Sequence, residues 1–97
     1  MTYYKMSEWK FIRFVKADAN DKMYSAILEH KDQRYRKVRI NFGDNKMMNY
    51  HDKTGLNLYP HLIHGDDKRR ESYKARHKGT LKDGYYSAGY FSYNYLW

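Results

Sequence analysis

The run from Lys37 to Phe42 constrains this chain most, because Val38, Ile40 and Phe42 alternate there with Lys37, Arg39 and Asn41. A period of two sends successive side chains to opposite faces, so the run reads as a strand with one buried and one wet face. Its partners lie upstream. Trp9 to Lys16 is rich in aromatic and β-branched residues and ends at the turn-forming cluster Asp18, Asn20 and Asp21. Met23 to Leu28 is a second apolar run, and Lys31, Asp32 and Gln33 form a tight polar connection to the third, Arg34 to Phe42, which Gly43, Asp44 and Asn45 terminate. Three strands joined by short polar turns predict an antiparallel meander.

Lys46 to Ile63 follows no sustained period, and Gly55 and the single proline, Pro60, interrupt it. A short fourth strand near Met47 to Tyr50, followed by a loop, is the reading it supports. The segment Asp66 to Lys78 is better bounded. Asp66 and Asp67 sit where a helix N-terminus favours carboxylates, Arg76, His77 and Lys78 fall in the last turn, and Gly79 follows as a C-terminal stop. From Ser87 to Trp97 both a helical face (Tyr86, Tyr90, Tyr93, Trp97) and strand alternation (Phe91, Tyr93, Tyr95, Trp97) fit, and a short helix beginning near Ser87 is preferred. An ending as apolar as Tyr95-Leu96-Trp97 should dock on the domain or on a neighbour.

A chain of 97 residues supports one core, so residues 1–97 are read as a single domain. The expected class is α+β: a small antiparallel sheet of three or four strands, with one basic helix and an aromatic C-terminal segment packed on it. Cysteine is absent, which removes disulfides, thiolate zinc sites and cysteine nucleophiles from consideration. No apolar run approaches the roughly 18 residues of a membrane span, and Met1 to Lys10 lacks the apolar stretch of a signal peptide, so secretion by that route is not expected.

Charge and aromaticity point to a partner. Lys and Arg number 19 against 11 Asp and Glu, a net charge of +8 that attracts nucleic acid, acidic proteins or anionic membrane. The 12 Tyr, 4 Phe and 2 Trp suit half-wet interfaces better than a dry core, since each Tyr hydroxyl needs a polar neighbour. In the helix, spacing of three and four puts Arg69, Tyr73, Arg76 and His77 on one broad face with Arg70 and Lys74 on its flank. Guanidinium groups beside a ring can bind carboxylates bidentately or clamp phosphates. On a purely structural reading, Arg70 and Arg76 instead pair with Asp66, Asp67 and Glu71 while Tyr73 plugs the core.

A second basic cluster, Arg34, Arg36, Lys37 and Arg39, could join Lys5, Lys10, Arg13 and Lys16 in a positive sheet face carrying aromatics, the combination used by single-strand binders. His61 and His64, followed by Asp66 and Asp67, invite a metal hypothesis, but the helical HExxH arrangement is missing and no metal or other cofactor is expected. No glycine-rich phosphate loop or GxSxG elbow is present, and helix capping accounts for the Asp66-Asp67 pair. Neither an enzymatic activity nor a small-molecule substrate is expected.

From Val38 onward the chain resembles a family of small uncharacterised proteins from tailed phages and large nucleocytoplasmic DNA viruses. The likeness rests on Asn41-Phe42-Gly43, on the block from His64 to His77, and on the ending from Ser87 to Trp97. Where the family ending often carries Trp and a basic residue, this chain has Phe91 and Asn94. The resemblance implies a viral origin and no established activity. It favours a structural protein, a minor capsid or virion-associated component found in the virion or the host cytoplasm, whose partners are other virion proteins. The expected anchors are Arg69, Arg70, Tyr73, Arg76, His77, Tyr90, Phe91, Tyr93 and Trp97. The alternative is a nucleic-acid-binding protein using Arg34, Arg36, Lys37, Arg39, Arg69, Arg70, Lys74 and Arg76.

Overall fold

The computed structural model describes residues 2–97. The three apolar runs form β2 (Trp9–Lys16), β3 (Lys22–His30) and β4 (Lys37–Asp44), an antiparallel sheet in the order β2-β3-β4. The fold is α+β. Its second sheet is a two-stranded pair, β1 (Tyr4–Lys5) with β5 (Tyr85–Tyr86), and α1 (Asp67–His77) and α2 (Ala88–Phe91) supply the helices. No helix among the described residues is long and apolar enough to cross a membrane.

Register decides which side chains share the buried face. Phe11 lies opposite Leu28, which pairs onward with Val38, and Phe14 lies opposite Ala26, which pairs onward with Ile40. Phe11 and Phe14 are three residues apart and would face opposite sides of a regular strand. A register shift between Phe11 and Arg13 inserts one residue and returns both rings to one face, 4.6 Å apart. Tyr24 and Phe42 extend the same face, and the small Ala26 leaves room for what covers it.

The cover is the C-terminal segment. Ser87 caps α2 by accepting a hydrogen bond from the Tyr90 amide at 3.1 Å, and the helix runs on into a π-helical turn, Ser92–Leu96. The short helix expected near Ser87 is therefore present. Phe91 is fully buried at the centre of a ring cluster, 5.8 Å from Phe11, 5.8 Å from Phe14, 5.5 Å from Phe42 and stacked on Tyr86 at 5.6 Å. Leu96, also fully buried, lies against Gly43 in β4. Gly43 has φ +76°, and a Cβ there would stand 2.9 Å from Leu96 Cδ1 and 3.1 Å from Met23 Sδ, so glycine is needed for both conformation and space.

The segment between β4 and α1 differs from expectation. Met47 to Tyr50 forms no strand; a single parallel bridge joins Asn49 to Ile63. The Tyr50 and His51 amides donate to the Leu96 carbonyl and the Lys53 amide to that of Tyr95, so the segment satisfies the end of the tail rather than a sheet edge. Further along, the Tyr24 hydroxyl donates to Asp52 at 2.5 Å and accepts from the Leu58 amide at 3.0 Å, tethering this loop to the sheet. Burial and the Asp52 hydrogen bond push the Tyr24 hydroxyl up to about 12.

Candidate functional site

Helix α1 begins where the carboxylates predicted, with Asp66 as N-cap accepting from the Lys68 and Arg69 amides at 3.0 and 3.3 Å. It ends at His77 with Lys78 as C-cap, where the basic last turn placed it, but not on a glycine stop. A 3-10 turn at Lys78–Thr80 carries the chain through Gly79, which does not adopt the positive φ of a glycine stop. None of its residues is buried, so its attachment comes from half-buried rings and polar contacts. Tyr73 stacks on Trp97 with centroids 4.2 Å apart and planes 4° from parallel, while His77, one turn on, stacks on the other side of Tyr73 at 4.2 Å. His64 closes against Trp97 at 5.1 Å and a tilt of 55°. The result is a column of rings running His77, Tyr73, Trp97, His64.

Polar contacts fix the flank of the helix. Arg70 Nε donates to the backbone oxygen of Trp97 at 2.8 Å and its guanidinium lies over Tyr50 at 4.8 Å, while Tyr50 donates to Asp67 at 2.7 Å. Lys74 lies over Tyr93 at 4.8 Å, and burial, with Arg70 and Lys53 nearby, lowers its ammonium below the usual lysine range. The pairing of Arg70 or Arg76 with Asp66, Asp67 or Glu71 does not occur: the one ion pair among the described residues is Arg39 with Asp18, at 3.6 Å.

Between α1 and the end of β4 lies a cleft of about 510 Å³. Arg69, Tyr73, Arg76, His77 and Trp97, all named from the sequence as interface anchors, line it together. Lys68 and Ser72 complete the helix wall; Gly43, Asp44 and the methionines Met47 and Met48 form the facing wall. Met47 is 61% exposed and Met48 38%, so two large apolar side chains stand in solvent at the cleft mouth. They are held there by a turn in which Asp44 accepts from the Lys46 amide at 2.9 Å and the Met47 amide bonds back to the Asp44 carbonyl at 3.1 Å. Sequence reasoning missed these methionines by reading the segment as a strand. The available signal was the turn cluster Gly43-Asp44-Asn45 immediately before an adjacent methionine pair.

The other candidates lie elsewhere. Phe91 is a core residue and cannot be a surface anchor, because all of its surface is covered by the sheet and neighbouring rings. Tyr90 packs edge-on against Phe91 and Tyr86, Tyr93 lies under Lys74, and Arg70 faces Tyr50. The basic strand cluster is also divided. Arg39 donates to Ser25 at 3.0 Å and pairs with Asp18, and Arg36 covers Trp9 at 5.5 Å. Lys37 is exposed on the strand, and Arg34 is exposed in the preceding loop beside Tyr35. Arg13 and Arg39 share the outer face of the sheet, whereas Phe11 and Phe14 point to the core, so that face does not combine cations with stacking rings.

His61 is exposed on the 3-10 turn Pro60–Leu62, while His64 Nδ1 accepts from the Asp66 amide at 2.8 Å. No group of three or more His, Asp or Glu side chains converges to hold a cation among the described residues. His64 Nε2 and His51 Nε2 are both buried without a hydrogen-bond partner. Burial lowers both imidazoles below the usual histidine range, with Arg69 adding to the effect at His64 and Lys53, Arg70 and Lys74 at His51. Comparison with protein-family models, with curated proteins and with solved structures finds no match to this chain.

Proposed function

We propose that this protein is a non-catalytic protein-binding module that works as a minor capsid or virion-associated component, bridging larger subunits. One observation carries the binding reading: Arg69, Tyr73, Arg76, His77 and Trp97 converge on one cleft whose facing wall exposes Met47 and Met48. Arg, Trp, Tyr and Met are enriched at protein interfaces, and a cleft offering both apolar seats and unpaired guanidinium groups suits a partner protein. The viral setting, and with it the virion or host cytoplasm as location, rests on the family resemblance of the second half.

The nucleic-acid alternative rests on the net charge of +8. Of its eight residues, Arg36, Arg39, Arg70 and Lys74 are engaged within the protein and Arg76 donates through Nε to the Ser72 carbonyl at 3.3 Å, leaving Arg34, Lys37, Arg69 and the outer nitrogens of Arg76 for phosphates. Two measurements separate the readings. Mass spectrometry of purified virus particles should find the protein there, and its absence would sink the virion role. Binding to duplex DNA or to RNA should be weak even at low salt. Tight binding that falls with a log-log salt slope near −0.9 per phosphate neutralised would replace the protein-binding reading with the nucleic-acid one.

A further inference from the structure

Resting on that protein-binding reading, we infer that the cleft receives a short acidic segment of a partner protein, with an apolar side chain seated between Met47, Met48 and the edge of the Trp97–Tyr73 stack and flanking carboxylates on Arg69 and Arg76. The argument begins with what the rings leave open. Tyr73 has His77 on one face and Trp97 on the other, and Trp97 has Tyr73 on one face with His64 tilted against it. A nucleobase needs a free ring face on which to stack. Tyr73 and Trp97 offer the cleft their ring edges instead, and aromatic edges carry the positive part of the quadrupole, which suits carboxylate oxygens and aliphatic groups.

Charge on the two walls points the same way. Lys68, Arg69 and Arg76 stand exposed on the helix wall with no carboxylate within ion-pair distance among the described residues. The facing wall carries the exposed carboxylate of Asp44. A polyphosphate backbone would gain from one wall and be repelled by the other. An acidic peptide can lay its side-chain carboxylates on the guanidinium groups and turn backbone N–H donors towards Asp44. A volume of about 510 Å³ lies within the range of ligand-binding clefts and exceeds what a single ion requires. The methionines adapt in shape to whichever apolar side chain arrives.

The test is selection from a random-peptide display library on the full chain, with competing selection on an Arg69→Glu/Arg76→Glu variant. Peptides enriched on the parent alone should combine Asp or Glu with Phe, Leu, Trp or Met. They should also perturb the emission of Trp97, which lines the cleft, in a Trp9→Phe background. Arg69→Gln/Arg76→Gln, a milder change at two exposed residues, should weaken the enriched peptides by about tenfold or more, since interface arginines commonly contribute upwards of one decade in affinity. Enrichment of neutral or basic peptides that still perturb Trp97 would overturn the acidic specificity while leaving a protein-binding cleft in place. If no cleft-dependent peptide emerges, both ideas fall, as they would if single-stranded oligonucleotides quench Trp97 and peptides do not.

Discussion

Replacing Tyr73 by alanine sets two effects on helix α1 against each other. Alanine has the higher helix propensity, by roughly 0.5 kcal/mol, so local preference alone predicts a firmer helix. Docking predicts the reverse. Tyr73 is the ring through which an otherwise unburied helix stacks on Trp97. If about 100 Å² of its apolar surface is covered, the loss is about 2.5 kcal/mol at ~25 cal/mol/Å². The parallel stack adds roughly 1 kcal/mol. The net cost is about 3 kcal/mol after subtracting the propensity gain, equivalent to about a hundredfold increase in helix opening. An 11-residue helix is marginal in water by itself, so the opened state should fray. Native-state hydrogen exchange resolves this: amides from Arg70 to His77 should exchange about a hundredfold faster, those of β3 should change little, and Tyr73→Phe should retain most of the protection. Unchanged or slower exchange in α1 would refute the idea that the ring column, rather than propensity, holds this helix in place.

Other perturbations follow from the same structure. Gly43→Ala should destabilise the domain by roughly 2–4 kcal/mol in chemical denaturation, because the positive φ and the crowding against Leu96 and Met23 act together; a cost under about 0.5 kcal/mol would mean that β4 and the tail can separate freely. Tyr24→Phe should cost about 1–3 kcal/mol by leaving Asp52 and the Leu58 amide without their shared partner. In the parent, the stability tied to Tyr24 is fully present below pH 10 and is lost as pH rises from there through about 12, so alkaline melting of the Phe variant should fall less steeply. His51 and His64 are depressed in the folded state, so the unfolded chain takes up protons first as pH drops below the ordinary histidine value of about 6.5. The melting temperature should therefore hold above that pH and decline below it, less steeply in a His51→Asn/His64→Asn variant; equal slopes would contradict the burial of these imidazoles.

The sequence made the sheet legible because period-two alternation and turn clusters are local signals. The same holds for α1, announced by Asp66 and Asp67. Features that depend on distant contacts were hidden. The bulge that brings Phe11 and Phe14 to one face has no mark in the run itself, and β1 pairs with β5 through only two residues on each strand. Phe91 looked like a surface anchor because the spacing of a four-residue helix cannot say which side meets the sheet. For the site, the sequence identified the cationic and aromatic wall but not the facing one, since the exposure of Met47 and Met48 depends on how the Asp44 turn meets the tail. Gly79 follows the end of α1 as its position suggested, but a 3-10 turn rather than a positive-φ glycine closes the helix.

The way the tail covers the sheet also orders events during synthesis. β2, β3 and β4 are contiguous in sequence and can pair as soon as Asp44 has emerged from the ribosome, whereas Phe91 and Leu96 arrive some fifty residues later. At elongation rates of about 5–20 residues per second, the apolar face waits for seconds without its cover. Trp97, which anchors the ring column, arrives later still. A nascent chain thus cannot present a formed cleft, and partner capture is postponed until the polypeptide has closed over its own sheet.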